Sequence, residues 1–112
     1  MFHLYGPQGP TLLSNGPSSV ECQGRWIVDA IKKIDREGIK FIDPTPEATK
    51  AYKQKINELS DASLLPTTRS TYMGGSLPGK AFEQTCWAGG IPAYKEEIRA
   101  ALPGFKGFRV VT

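Results

Sequence analysis

The stretch from Leu4 to Trp26, which reads LYGPQGPTLLSNGPSSVECQGRW, has the residue types of a ligand-binding turn. Three glycines and three prolines restrict the backbone of residues 6–17, and Ser18 with Glu21 has the capping-box spacing of a helix start. A helix N-terminus carries roughly half a positive charge, and its first N–H groups have no partner within the helix. The sequence therefore predicts a short strand, a rigid loop and a row of unpaired N–H groups that favour an electron-rich ligand edge.

The sequence predicts no catalytic residue and no metal ligand of its own. The single histidine, His3, has no neighbouring carboxylate and is expected to be structural. Cys22 and Cys86 lack the pairing of a zinc site or a disulfide framework, and Cys86 has no basic neighbour that would activate its thiol. The motifs HExxH, GxSxG, GxGxxG and the P-loop do not occur. If the chain takes part in catalysis, we expect it to form a wall of a larger active site.

Charge and composition argue against several other functions. The 112 residues carry a net charge of +3 on scattered side chains, without the basic stripe and interleaved aromatics of a nucleic-acid-binding surface. No run approaches the ~20 apolar residues of a membrane span, and the N-terminus lacks the pattern of a signal peptide. The two cysteines favour a reducing compartment, so we expect the chain to be cytoplasmic and to form at most one domain.

Three helices with clear boundaries are predicted to position the loop. The first starts near residues 17–18 and ends before Gly38, which suits a left-handed cap. The second has Thr45 as its N-cap, followed by a proline, and ends near Ser63, while the third follows Pro92. The apolar positions predicted to face a core are Val20, Ile27, Ile31 and Ile34 in the first helix, Ala48, Tyr52, Ile56 and Leu59 in the second, and Tyr94, Ile98 and Leu102 in the third.

The predicted fold class is mostly α, with three helices, a few isolated short strands and long loops. Strands are predicted at residues 2–5, 39–42 and 105–111, and no hairpin signal joins any two of them. Because unpaired strands leave backbone groups without partners, we expect their partner strands to lie outside this sequence. Residues 67–90 show no periodicity and contain several Gly and Pro turns, which is typical of a functional or mobile loop.

The stretch from Leu4 to Trp26, together with TYMGGSLPGK at residues 71–80, resembles the C-terminal portion of Baeyer–Villiger monooxygenases. These are cyclohexanone-monooxygenase-like flavoproteins that use FAD and NADPH, and the likeness extends to TPEA, GGIPAY and the closing GFKGFRV. The resemblance implies an α/β parent enzyme with an FAD/NAD(P)-binding fold. Residues 1–38 would be the last strand, loop and helix of its FAD domain, and residues 39–112 a C-terminal extension with a mobile loop near residues 67–90.

The resemblance also implies which residues lie near the flavin. Asn15 and Gly16 would approach the flavin ring, with backbone N–H groups that favour its reduced, electron-rich form. Leu12, Leu13 and Ser14 match the loop that helps to line the ketone pocket, although paired leucines in a loop more often cover a neighbouring core than touch a ligand.

A second implied site lies in residues 67–82, which match the loop that closes over NADP(H). Here the sequence departs from the family pattern: Thr71 stands where the family has a tryptophan, and Ser76 where it has an asparagine. A hydroxyl cannot replace the contact area of an indole, so weaker cofactor closure or a changed substrate class is expected. The nucleotide-binding glycine motifs are absent, so we expect the parent enzyme to use FAD and NADP(H) but this chain alone to bind neither.

The resemblance implies a segment of an NADPH-dependent monooxygenase that inserts an oxygen atom from O2 into a ketone to give an ester or lactone. Its partners would be upstream FAD and NADP domains and a small ketone. The alternative is a stand-alone interaction module or a non-catalytic remnant of such an enzyme. In either case we expect an exposed apolar face that promotes self-association of the isolated chain, formed by Leu4, Leu12, Leu13 and Phe108.

Overall fold

Helices dominate the computed structural model, which describes residues 1–12 and 14–112. The chain extends over 46 × 28 × 21 Å with a radius of gyration of 15.1 Å, whereas a compact domain of this length would measure about 13 Å. The elements in chain order are α1 (Gly16–Arg36), β1 (Phe41–Pro44), α2 (Pro46–Asp61), two 3₁₀ turns (Leu65–Thr67 and Thr71–Met73), α3 (Ile91–Ala101) and β2 (Phe108–Val111).

The first helix begins earlier than predicted because Asn15, not Ser18, is its N-cap. The Asn15 side chain accepts a hydrogen bond from the Ser18 N–H at 3.0 Å, and its carbonyl accepts one from the Ser19 hydroxyl at 2.9 Å. Asn15 is extended (φ −69°, ψ 122°), which places both oxygens over the first turn. The predicted left-handed cap at Gly38 is confirmed by a φ of +63°.

The predicted apolar stripe of α1 is only partly correct. The residues of this helix that are buried are Ser19, Cys22, Gln23 and Ala30, whereas Ile31 is 51% exposed. Small and polar side chains occupy the inner face because the N-terminal loop and α3 approach α1 closely there. The outer face of α1, which includes Val28 and Ile31, has no partner among the described residues.

The second and third helices agree with their predicted apolar faces. Thr45 caps α2 by accepting a hydrogen bond from the Ala48 N–H at 3.1 Å, and the helix ends at Asp61 instead of near Ser63. Ile56 is fully buried, and Tyr94 of α3 is buried beside it. Half-buried side chains complete these faces, namely Ala48, Tyr52 and Leu59 in α2 and Ile98 and Leu102 around α3.

The strand predictions are corrected in two respects. Residues 2–5 are not a strand, because Tyr5 has a left-handed φ of +55° and turns the chain away from an extended path. The other two predicted strands, found at Phe41–Pro44 and Phe108–Val111, are not isolated: they pair with each other in an antiparallel two-stranded sheet. A turn through Phe105 and Gly107, both with positive φ, brings the closing strand back to β1.

Two small hydrophobic cores take the place of one large one. The first core lies between α1, α2 and α3 and contains Cys22, Ile56, Trp87 and Tyr94. The second core lies between α1 and the sheet and contains Ala30, Ile39 and Phe105. Residues 84–87, which have no regular secondary structure, belong to the first core, so part of the predicted mobile region is buried.

Candidate functional site

The loop before α1 is strained and is held by contacts from three parts of the fold. Tyr5 and Gln8 both have positive φ (+55° and +64°), a conformation that costs a non-glycine residue about 1–2 kcal/mol. The Tyr5 N–H donates to Gln23 Oε1 at 2.8 Å, and the Gln8 N–H donates to the Thr85 carbonyl at 2.7 Å. Tyr52 Oη donates to the Gln8 carbonyl at 2.9 Å. These bonds fix both strained residues, so the loop is preorganised.

Gln23 is the central side chain under this loop. It is buried on α1, accepts from the Tyr5 N–H and donates through Nε2 to Tyr94 Oη at 3.2 Å. A Cβ on Gly9 would lie 2.9 Å from Gln23 Nε2, so a side chain at this position would push the Gln23 amide aside. Gln23 therefore joins the loop to α1 and α3 at once.

Burial favours the neutral form of the two tyrosines in this network, of which Tyr52 donates to the Gln8 carbonyl and Tyr94 accepts from Gln23. It raises the pKa of Tyr94, and the hydrogen bond from Gln23 opposes it only in part. Burial also raises the pKa of Tyr52, with smaller contributions from Tyr94 and Glu97. Both phenols therefore keep their protons at neutral pH.

The N-terminus of α1 offers fewer free donors than predicted. Pro17 has no N–H, and the N–H groups of Ser18 and Ser19 both bond to Asn15. Within residues 1–12 and 14–112, only the Gly16 N–H of this first turn has no acceptor. The predicted row is thus a single donor, which suits one acceptor atom at the positive end of the helix.

The residues predicted to line a pocket lie along the same loop. Leu12 and Ser14 are half-buried, Asn15 is exposed, and Gly16 is half-buried against the Tyr5 ring. Leu13 lies outside the described residues. The structure therefore brings four of the predicted site residues to one loop and helix end.

Cys86 lies beneath this loop as a protonated thiol. Its Sγ donates to Gln84 Oε1 at 3.2 Å, and the residue is fully buried. Burial raises the pKa of the Cys86 thiol, and this outweighs the opposing hydrogen bonds from the Leu12 backbone and the Thr11 side chain. The thiol is accordingly not poised as a nucleophile. The described part of the chain also contains no cluster of His, Cys, Asp and Glu side chains that could hold a metal ion.

The second candidate region, residues 70–83, forms a loop that hydrogen bonds close at its base. We call this base, where residues 70–75 meet residue 83, the neck of the loop. The Gly75 N–H donates to the Ser70 carbonyl at 3.0 Å, and the Glu83 N–H donates to the Met73 carbonyl at 3.1 Å. A Cβ on Gly75 would lie 2.6 Å from the Arg69 backbone, so this neck admits only glycine. Leu77 and Phe82, nearer the tip, are more than half exposed.

Thr71 and Ser76 both face solvent in this second loop. Thr71 is the first residue of the 3₁₀ turn Thr71–Met73, and Ser76 follows the Gly74–Gly75 pair. No described hydrogen bond joins either residue directly to Leu12, Ser14 or Asn15, so the predicted site residues form two groups.

Gln84 anchors the connection between the two loops, and sequence reasoning missed it. Its Nε2 donates to Ser60 Oγ at 2.8 Å, and its backbone N–H donates to Asn57 Oδ1 at 3.1 Å. Its Oε1 accepts from the N–H of Cys86 at 3.2 Å. A polar residue in an aperiodic segment carries no local sign of burial, so only its position two residues before Cys86-Trp87 hinted at it.

The surface of the molecule carries many exposed apolar side chains, but not in the predicted arrangement. Leu4 is 44% exposed, as expected, whereas Leu12 and Phe108 are half-buried and Phe108 packs edge-on against the ring of Phe105. Leu13 cannot be placed among the described residues. Other large apolar side chains are exposed instead, including Val28, Ile31, Leu64, Leu77 and Phe82. Among the helices described, none has the length and apolar character needed to cross a bilayer.

Curated proteins with similar sequences are flavin monooxygenases, although no protein-family profile matches the chain. The FAD-binding monooxygenase acrE of Aspergillus aculeatus is 52% identical over 111 residues, covering 99% of this chain and 19% of that protein. The acetone monooxygenase (methyl acetate-forming) of Gordonia is 34% identical over 117 residues, covering 96% and 22%. The chain spans about one fifth of the length of the curated relatives it matches.

Solved structures with the same fold belong to the same class. Cyclohexanone monooxygenase from Rhodococcus sp. Phi1 bound to NADP+ superposes with a TM-score of 0.87 at 30% identity, over 97% of this chain and 20% of that one. A closed crystal structure of cyclohexanone monooxygenase gives 0.87 at 33% identity, and an open one gives 0.75 at 28%. Each covers 97% of this chain, with 20% of the closed and 18% of the open chain. The arrangement described above is therefore closer to the closed form.

Proposed function

Because this chain belongs to the family of FAD-binding Baeyer–Villiger monooxygenases, we propose that it forms walls of the flavin and ketone sites of an NADPH-dependent enzyme. That enzyme would insert one oxygen atom from O2 beside a ketone carbonyl, giving an ester or lactone. FAD, once reduced by NADPH, supplies the oxygen chemistry when bound. The observation that carries the proposal is the match of sequence and fold over nearly the whole chain.

The residues of this chain fit one edge of a flavin ring and not its phosphate tail. Gly16 offers a backbone N–H at the positive end of α1, and it carries no side chain between that N–H and a ligand. Asn15 acts one step away, since its side-chain oxygen is occupied in capping the helix. A glycine-rich phosphate motif is missing from the sequence, so we expect residues 1–38 to hold FAD only together with the rest of the FAD domain.

Residues 12–14 would line the ketone pocket beside that ring. Leu12 and Ser14 sit on the strained loop that Gln23 and Tyr52 hold in place, which supports a wall that keeps its shape when a small ketone binds. An apolar wall of this kind excludes water from the reacting carbonyl.

Residues 67–82 would cover NADP(H) as part of the extension formed by residues 39–112. The exposure of Thr71 and Ser76 supports this assignment, as does the closer fit to the closed than to the open cyclohexanone monooxygenase. We expect the mobile part of the loop to be its tip, because its neck is hydrogen-bonded and residues 84–87 are buried.

The exposed apolar surface would be covered by other domains of the same polypeptide. Leu4, Val28 and Ile31 are each more than 40% exposed, which is costly for a surface that stays in water. Taken alone, the 112 residues would therefore self-associate. The free, buried thiols of Cys22 and Cys86 support a reducing compartment such as the cytoplasm.

The test is to express the complete gene product and to measure flavin absorbance, NADPH oxidation and ester formation with a small cyclic ketone. We expect a yellow protein whose NADPH oxidation rises with ketone and which releases the lactone. Gly16→Ala, whose new methyl would lie 3.3 Å from Tyr5 Oη, should lower lactone formation, whereas Gly24→Ala, with open space around it, should not. A colourless protein that oxidises no NADPH contradicts the proposal.

A further inference from the structure

Among residues 1–12 and 14–112, Thr85 alone hydrogen-bonds to both candidate loops. Its backbone N–H and its Oγ1 each donate to the Tyr72 carbonyl at 2.8 Å. Its own carbonyl accepts the Gln8 N–H at 2.7 Å. Three hydrogen bonds of a single residue thus run from the turn that carries Thr71 to the strained loop before α1.

The residues around Thr85 make this connection stiff. Gln84 is tied to α2 through Asn57 and Ser60, and the Trp87 N–H donates to the Gly9 carbonyl at 2.9 Å. Trp87 itself is 1% exposed and packs against aromatic rings on α2 and α3. A displacement of residues 70–73 is therefore transmitted to Thr85 and is not taken up by flexible backbone around it.

The connection ends at Gln8, a strained residue at the third position of a turn. The Gly9 N–H closes this turn on the Gly6 carbonyl at 3.3 Å, and Thr85 and Tyr52 bind the N–H and the carbonyl of Gln8. Without the bond to Thr85, the left-handed conformation of Gln8 would rest on the long Gly6–Gly9 bond and on Tyr52 alone. The conformation of Gln8 therefore depends in part on the position of Thr85, which is the link that coupling between the two loops needs.

We propose that Thr85 is a positioning residue that couples residues 70–75 to residues 5–12, so that ordering one loop orders the other. The identity of the two ligands, NADP(H) at the first loop and a ketone at the second, rests on the proposed function. The mechanical coupling does not, since it follows from the hydrogen bonds alone. Because coupling is reciprocal, a ligand on either loop tightens binding at the other by the same factor.

The first experiment needs no ligand and compares three variants of the complete gene product. Thr85→Val keeps the β-branched shape and removes the hydroxyl, Thr85→Ser keeps the hydroxyl, and Thr49→Val removes an exposed hydroxyl of α2 that bonds to the Thr45 carbonyl, away from both loops. We expect the Gln8 amide to exchange about fivefold faster in Thr85→Val, the effect of one lost hydrogen bond. Thr85→Ser and Thr49→Val should exchange like the parent.

Unchanged exchange at Gln8 in Thr85→Val overturns the coupling, and so does an equal change in Thr49→Val. If Thr85→Val does not fold, the coupling is tested on the unsubstituted protein. We then expect the addition of NADP+ to slow amide exchange at residues 70–75 and at Gln8 together. Slowing at residues 70–75 without slowing at Gln8 overturns the coupling and leaves the proposed function intact.

If NADP+ changes no amide exchange rate in this chain, the proposed function is contradicted instead. The comparison of the ligand-free variants then decides the coupling. Equilibrium binding gives a further readout that a merely structural role would not move. In Thr85→Val, the Kd for NADP+ and the Kd for the ketone should rise together by about the same factor, and Thr85→Ser should restore both.

Discussion

Residues 5–12 and residues 70–82 look alike in sequence and differ in structure. Both are rich in glycine and proline and have no periodicity. The first loop contains two strained residues, Tyr5 and Gln8, and each has its N–H bound by a group from a distant part of the chain. The second loop is closed mainly by bonds among its own residues and by Thr85, and it leaves Leu77 and Phe82 exposed.

The difference shows that glycine and proline content indicates a turn but not its rigidity. Rigidity comes from the partners of the backbone groups, and in the first loop these partners are Gln23, Tyr52 and residues 85–87. If the first loop is a wall of a binding site, it must hold its shape, and if the second loop is a cover, it must open. The difference in rigidity between the two loops suits these two roles. The predictions below weaken one loop and not the other.

The largest effect should come from truncating one aromatic residue beside each loop. Trp87→Ala removes a fully buried indole at the residue whose backbone N–H bonds to Gly9 of the first loop, and we expect a loss of about 3–5 kcal/mol in stability. Phe82→Ala, at a residue 54% exposed, should change stability by less than about 0.5 kcal/mol. Calorimetric melting of both variants of the complete gene product checks this. Equal losses would mean that the second loop is packed as firmly as the first.

A smaller effect is expected from adding one methyl group at the neck of the second loop. Gly75→Ala places a Cβ within 2.6 Å of the Arg69 backbone, which cannot move aside cheaply, and should cost about 1–3 kcal/mol. Gly24→Ala meets nothing within 4 Å and lies inside α1, so it should stabilise by up to about 1 kcal/mol. Limited proteolysis should cut residues 70–83 faster only in Gly75→Ala. Protection of that loop in the variant would refute the closed neck.

Removing the buried amide under the first loop should have an effect of about 1–2 kcal/mol. Gln23→Leu deprives the Tyr5 N–H of its acceptor and Tyr94 Oη of its donor, while keeping a similar volume. Gln54→Leu, at an exposed glutamine bonded only to Glu58, is the matched control and should be nearly neutral. Denaturant midpoints of the two variants, together with amide exchange at Tyr5, test the assignment. If both midpoints shift alike, Gln23 does not hold the loop.

The smallest expected effect concerns the second loop, residues 70–82. Thr71→Trp restores a large flat side chain on an exposed turn and should lower the Kd for NADP+ several-fold, about 1 kcal/mol of added contact. Thr49→Trp places the same ring on an exposed position of α2, outside residues 67–82, and should leave the Kd unchanged. Equal Kd values in Thr71→Trp and the parent, measured by fluorescence titration, would remove the argument from contact area.

Local signals in the sequence were enough for the helices. Thr45 caps α2 as predicted, the Ile56 face of α2 and the Tyr94 face of α3 are buried, and Gly38 takes the left-handed conformation. These features depend on residues within a few positions of each other. The cap of α1 was misplaced because Asn15 and Ser18 are both good capping residues, and only the loop geometry selects Asn15.

Features that depend on distant residues could not be read from the sequence. The pairing of Phe41–Pro44 with Phe108–Val111 joins strands with no hairpin between them, and the turn at Phe105 that allows it has a non-glycine positive φ. Residues 2–5 look like a strand by composition, yet the bond from Tyr5 to Gln23 turns them away. The candidate site was predicted in its residues, whereas the network that holds it, through Gln84 and Thr85, has no local pattern.

The most direct test of this account is residue-resolved amide hydrogen exchange of the complete gene product, with and without NADP+. The account predicts that the Tyr5 and Gln8 amides exchange far more slowly than the Ser76 amide before any ligand is added. It also predicts that NADP+ slows exchange in residues 70–82 and, through Thr85, at Gln8. Exchange at Gln8 that is as fast as at Ser76 in the ligand-free protein would contradict it, because the wall would then be no more rigid than the cover.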